Sequence, residues 1–130
     1  MFSQIILIAA GVIACLFGLL FLFAPDQATR NFQLGESTTA SRLFSRSTGC
    51  GLISVGIINI LASGDSGSSA LYALVIGNIV LHVLGIAVDF TEDFPKKGGW
   101  WVGFIVHIVF IVGFGYVLLS WPPVAAATAA

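Results

Sequence analysis

Residues 4–24 read QIILIAAGVIACLFGLLFLFA, an apolar run without a single charged side chain. Its length is close to the roughly 20 residues that a helix needs to cross the hydrocarbon of a bilayer. The run stops at Pro25-Asp26. Three stretches of the same kind follow, at about residues 47–63, 70–90 and 100–121, the last ending at Pro122-Pro123. Lipid offers no hydrogen-bond partner to a bare peptide group, so such spans are expected to be helices. The alternating pattern of a β-barrel strand is absent. The four spans predict an all-α polytopic membrane protein, with residues 1–130 forming one integral membrane domain, an antiparallel bundle of four transmembrane helices.

Composition agrees. The chain is 58% hydrophobic and 8% charged, with mean hydropathy +1.04. Soluble domains carry about 25% charged residues, and a water-soluble fold would have nowhere to hide this much apolar surface. A net charge of -1 and the lack of a basic patch interleaved with aromatics speak against nucleic-acid binding. Residues 1–23 lack the positive n-region of a signal peptide, and their apolar run is too long for an h-region. Val12-Ile13-Ala14-Cys15 resembles a lipoprotein cleavage box, but the apolar run continues through Phe23. Cys15 and Cys50 are too few for a disulfide framework or a zinc site. They are expected to be small packing residues.

All five basic residues fall in two connections. Arg30, Arg42 and Arg46 lie between the first and second spans, Lys96 and Lys97 between the third and fourth. Short loops rich in Lys and Arg stay in the cytoplasm. The expected topology is therefore both termini non-cytoplasmic, with loops 25–46 and 91–99 cytoplasmic and residues 122–130 forming a tail. A bacterial inner membrane is the expected location. Arg30, Arg42, Arg46, Trp100, Trp101 and Trp121 sit at span ends and are expected to anchor the chain at the headgroup level. In the first loop, Pro25-Asp26-Gln27 reads as a helix start, so a short amphipathic surface helix is expected there, with Phe32 and Leu34 as anchors. Arg42 and Arg46 are one helical turn apart and are expected to begin the second helix. Asp89, Glu92 and Asp93 beside Lys96 and Lys97 read as a solvated charged turn.

Small residues recur at helical spacing. Gly11 and Gly18 are seven apart with Cys15 between them, and Gly49, Gly56 and Ser63 repeat at seven. Ala73, Gly77 and Gly85 share a stripe of the third span. Small side chains let helix backbones approach closely in lipid, so Gly11, Gly18, Gly49, Gly56, Gly77 and Gly85 are the expected packing positions.

The polar residues inside the spans are few. Asn78, His82 and Asp89 share a helix face at offsets of four and seven. His82 and His107 are 25 residues apart, centred on a turn around Phe94-Pro95. An antiparallel hairpin folded there brings both imidazoles to one depth, about 10 Å inside the cytoplasmic interface at 1.5 Å per residue. Ionisable groups at such depth are functional candidates by default. Three roles are open: a neutral pair hydrogen-bonded within the bundle to Asn78, Asn59 or Ser54; ligation of haem or a chlorophyll-type pigment, with Gly103 leaving room beside His107 for a macrocycle; or a proton or quinone site. His82, His107, Asn78 and Gly103 are thus the candidate cofactor-binding residues. No metal site is expected, and no catalytic constellation is visible: there is no phosphate-binding glycine loop, no Cys-x-x-Cys pair and no nucleophile elbow.

The order of features has a relative in kind. The first span ends at Leu22-Phe23-Ala24-Pro25 and is followed by a loop containing Gly35. Then Arg46-Ser47-Thr48-Gly49-Cys50-Gly51-Leu52 runs into Gly56-Ile57-Ile58-Asn59. Over nearly the whole chain this resembles the small four-helix bacterial membrane proteins of the DoxX-like group. The resemblance implies a four-helix bundle, and an association with thiosulfate:quinone oxidoreduction or other membrane redox complexes. Three functions follow as expectations. The first is a non-catalytic integral membrane subunit or accessory protein, packed in an energy-transducing or redox complex, with the lipid bilayer and membrane proteins or further copies of itself as partners. The second is a histidine-ligated haem, pigment or quinone-binding redox protein. The third is a small-solute carrier using the Asn78/His82 face.

Overall fold

The computed structural model of the chain describes residues 1–65, 68–90 and 98–121. Among the described residues there are five helices and no strand: α1 (Phe2–Phe23), α2 (Pro25–Phe32), α3 (Thr39–Ala62), α4 (Ser69–Asp89) and α5 (Gly99–Leu119). Helices α1, α3, α4 and α5 are each long and apolar enough to cross a membrane. At 21 to 24 residues and 1.5 Å per residue, they reach past the roughly 30 Å of a hydrocarbon core.

The first connection is more helical than its composition indicates. Helix α2 has Pro25 at its first position, where a missing N–H costs nothing, and Asp26 in its first turn, favourable to the helix dipole. Thr29 Oγ1 donates back to the Pro25 carbonyl at 3.0 Å. The helix stops at Gln33, which adopts the left-handed conformation (φ 56°) that closes helix C-termini. Helix α3 then begins at Thr39, well ahead of the expected span at 47–63. The Ser41 N–H donates to Thr38 Oγ1 at 3.1 Å, and the Thr38 N–H donates to Ser41 Oγ at 2.8 Å. This is a reciprocal capping box with serine where glutamate or glutamine is usual. Arg42 and Arg46 thus sit in the first two turns of α3. The Arg42 guanidinium stands 3.8 Å from the Asp26 carboxylate, tying the two elements together.

Helices α1 and α3 form the closest pair in the bundle. They run antiparallel, with Gly11 opposite Gly56 and Gly18 opposite Gly49. A Cβ on Gly11 would lie 2.6 Å from the Gly56 carbonyl, and one on Gly56 would lie 2.7 Å from the Gly11 carbonyl. Gly18 and Gly49 are related in the same way, at 2.8 and 2.7 Å. Only glycine fits such backbone contact. Cys15 lies between the two crossings, half-buried, its thiol 3.9 Å from the Ile53 carbonyl. Cys50 is exposed instead of packed. Ser45 closes the far end of the seam by donating to the Phe21 carbonyl at 3.0 Å.

Helices α4 and α5 form the second pair, and α1 bridges to α5. Leu7 and Ala10 of α1, Leu71 and Val75 of α4, and Phe110, Phe114 and Val117 of α5 form a buried apolar core. This core fills the end of the bundle where α1 begins and α5 finishes. Gly77 departs from the expected packing role: where its Cβ would stand there is open space. The inward face of α4 is Leu71, Val75, Asn78, His82 and Gly85, so the stripe through Ala73 and Gly77 points outward.

Candidate functional site

The inward face of α4 carries two polar residues one turn apart, and each meets a like residue from another helix. Asn59 of α3 and Asn78 of α4 are 1% and 3% exposed. Asn59 Nδ2 donates to Asn78 Oδ1 at 3.0 Å. Asn78 Nδ2 donates back to Asn59 Oδ1 at 2.9 Å and also to the Leu74 carbonyl at 2.9 Å. Each amide therefore finds a partner in the other, which an apolar interior requires.

One turn further along, His82 Nδ1 and His107 Nδ1 are 2.9 Å apart. Such a contact holds one proton between the two nitrogens, so one ring donates and the other accepts. The His82 ring lies nearly parallel to Phe110, with centroids 5.2 Å apart and planes inclined by 21°, and Phe114 stacks beyond it. His107, Phe110 and Phe114 fall on one side of α5 at offsets of three and seven, which places the aromatic wall beside the imidazole pair. The His107 ring occupies the space over Gly85: a Cβ there would stand 2.5 Å from His107 Cε1 and 2.6 Å from Nε2. Gly85 packs against a side chain, not against a helix backbone.

These four side chains border a cavity of about 260 Å³ between the helices. Ala10, Ile13, Ala14, Phe17 and Phe21 of α1 form one wall, Leu52 and Val55 of α3 another, and Leu81 and Gly103 complete the α4 and α5 sides. Among the described residues no charged side chain lines it. Phe32 of α2 and Trp100 of α5 cover the end toward the first connection. Phe32 packs on Phe17 and Phe21, with centroids 5.9 and 5.5 Å away. The close of α2 lies directly over the start of α5, where a Cβ on Gly99 would meet the Asn31 carbonyl at 2.5 Å.

The sequence-derived candidates separate on this geometry. His82 and His107 meet as the hairpin register requires, but they bond to each other and not to Asn78, Asn59 or Ser54. Asn78 pairs with Asn59, and Ser54 donates to the Cys50 carbonyl of its own helix at 2.9 Å. Gly103 borders the cavity with open space where its Cβ would be. Trp100 is buried at the start of α5: it is 8% exposed and stacks on Phe104 with centroids 5.1 Å apart. Trp101 is exposed, as an anchor would be, and Trp121 packs edge-on against Tyr72. Arg30 donates to Gln27 at 2.8 Å on the exposed side of α2. In sequence Phe32 reads as an anchor, and Phe110 and Phe114 carry no role; the spacing of three and seven from His107 is the signal for the latter two. Glu92, Asp93, Lys96, Lys97, the tail and the side chain of Asp89 lie outside the described residues.

As placed, the two Nδ1 atoms do not hold a haem iron between them. An imidazole nitrogen stands about 2 Å from a transition metal, so two trans ligands lie about 4 Å apart, wider than the 2.9 Å between the two Nδ1 atoms. The cavity is also below the roughly 300–1,000 Å³ of pockets for drug-sized ligands, too small for a tetrapyrrole. Among the described residues no group of three or more His, Cys, Asp or Glu side chains could hold a metal ion. No known protein family, characterised protein or solved structure matches the chain.

Proposed function

We propose that this chain is a non-catalytic, four-span accessory protein of the bacterial inner membrane whose bundle holds a small, neutral, planar molecule beside the His82–His107 pair. The supporting observation is the cavity itself: about 260 Å³, walled by Phe17, Phe21, Phe32, Trp100 and Phe110, with imidazole and amide groups as its polar edge. Aromatic walls favour a flat ring. Among the described residues the lining carries no charged side chain, which favours a neutral ligand. Hydrogen bonding at the imidazoles favours a carbonyl-bearing ring of the quinone class. The chain's resemblance to the DoxX-like group is the reason for placing this binding next to membrane redox chemistry.

The experiment uses Trp100 as reporter. In a Trp101→Phe/Trp121→Phe background, in nanodiscs, titration with a tail-less methoxylated benzoquinone is expected to quench Trp100 fluorescence with saturation. Quenching that rises linearly without saturation would refute a bound site.

The same proposal places α2 and the start of α3 on the cytoplasmic face and both termini outside, on the strength of Arg30, Arg42, Arg46, Lys96 and Lys97. In a Cys15→Ala/Cys50→Ala background, Asp65→Cys is expected to react with an impermeant maleimide from the non-cytoplasmic side. Labelling only from the cytoplasm would reverse the orientation.

A further inference from the structure

Besides the packed α4/α5 pair, three seams surround the cavity, and they are closed to different degrees. Between α1 and α3 the backbones touch at two glycine crossings. Between α1 and α5, Ile6 packs on Gly113 and Phe2 on Tyr116 at one end. Nearer the cavity, the part-buried side chains of Ile13, Phe17 and Val106 separate it from a shallow outer groove. The third seam differs. Helices α3 and α4 are consecutive, yet they are not packed along their length. The reciprocal Asn59–Asn78 bonds join the last turn of α3 to the middle of α4. Leu52 and Val55 of α3 and Leu81 of α4 line the cavity, and Leu81 is 42% exposed while lining it.

We infer that the α3/α4 seam is a lateral portal, through which the ligand's hydrocarbon chain passes from the cavity into the bilayer. The inference rests on the binding proposal above and names the class of ligand more closely: a single-chain amphiphile with a neutral, planar, carbonyl-bearing head. Three observations converge on the chain as occupant. The rim is wholly apolar (Leu52, Val55 and Leu81) and lies within helices of membrane-spanning length, so what faces it is hydrocarbon. The end toward the first connection is covered by Phe32 and Trp100, so the way in from water is obstructed. The volume of about 260 Å³ accepts a ring-sized head but not a long chain as well, and a chain must leave by the seam that is least packed. The Asn59–Asn78 bridge fixes the hinge end of the opening and leaves the other end free to admit a methylene chain.

The test compares two probes at equilibrium, with affinities expressed per membrane lipid so that partitioning cancels between variants. The probes are the tail-less benzoquinone and the same ring bearing a decyl chain, both read by Trp100 quenching. Leu81→Phe and Val55→Phe each narrow the mouth; the exposed position of Leu81 lets lipid accommodate the larger side chain. Both positions also line the cavity, so the readout is the ratio of the two affinities. In each variant the decyl probe should lose about tenfold more than the tail-less probe, equivalent to losing about two buried methylene groups, and equal losses for the two probes overturn the portal. Leu16→Phe, on the outer α1/α5 groove, should change neither. Unchanged affinity for the decyl probe in both mouth variants, or an equal loss in Leu16→Phe, overturns the portal while the binding site stands. Failure of both probes to bind the unmutated mouth overturns the binding proposal and the portal with it.

Discussion

Glycine serves opposite ends in the two halves of this bundle. Between α1 and α3, Gly11, Gly18, Gly49 and Gly56 remove side chains so that two backbones meet. Between α4 and α5, Gly85 removes a side chain so that an imidazole can occupy the vacated space. The first use joins two helices as one unit. The second leaves room for polar chemistry at the cost of tight packing, and the cavity lies beside it. In lipid, where apolar surface gives no net drive for helix association, the α1/α3 pair supplies the rigidity against which the looser α4/α5 pair can hold a polar site.

The contrast can be broken most severely at Gly56. Its added Cβ would stand 2.5 Å from Cys15 Sγ and 2.7 Å from a backbone carbonyl, and a carbonyl on a packed helix has little freedom to yield. Gly56→Leu is expected to cost about 3 kcal/mol, the upper end of overpacking effects, measured by reversible denaturation in mixed micelles. Gly77→Leu, which meets open space, should stay within about 0.5 kcal/mol. Equal losses at the two positions would dissolve the distinction.

Gly85→Ala should have a smaller and more specific effect. His107 must swing away from the added methyl, giving up its contact with His82 at a cost of about 1–2 kcal/mol, and Trp100 quenching by the tail-less probe should weaken with it. A loss of stability with unaltered binding would mean that the imidazole pair takes no part in recognition. The mildest change is at the hinge. Asn59→Ala leaves Asn78 without its reciprocal partner, and a double-mutant cycle with Asn78→Ala should give a coupling of about 0.6–1.7 kcal/mol, the range for hydrogen bonds between membrane helices. A coupling near zero would leave the seam without its hinge.

Much of this fold is legible before any coordinates. Four apolar runs of spanning length leave helices as the expected answer, and the seven-residue spacing of Gly11/Gly18 and Gly49/Gly56 marks a packing stripe on each of two helices, without saying that the two stripes meet. The symmetric placement of His82 and His107 about the connection between the third and fourth spans is enough to bring the imidazoles together. Other features are hidden for physical reasons. The early start of α3 depends on a capping box whose second member is Ser41, a residue with little claim on that role. Trp100 obeys the rule for interfacial tryptophans in sequence and is buried in space, because α2 folds over the start of α5. Gly77 stands four residues from Ala73 and eight from Gly85, a stripe of small residues in sequence, but lies off the face defined by Val75, Asn78 and His82. The cavity is a space between helices and has no residue pattern of its own.

The most direct test of the binding site is nitrogen NMR of the two imidazoles in nanodiscs. The free protein should show a one-proton bridge, with scalar coupling between His82 Nδ1 and His107 Nδ1 across the 2.9 Å contact. Saturation with the tail-less quinone should abolish that coupling and shift both resonances as the carbonyl takes a proton donor from the pair. A coupling and shifts that remain unchanged at saturating probe would contradict a ligand site at the histidines.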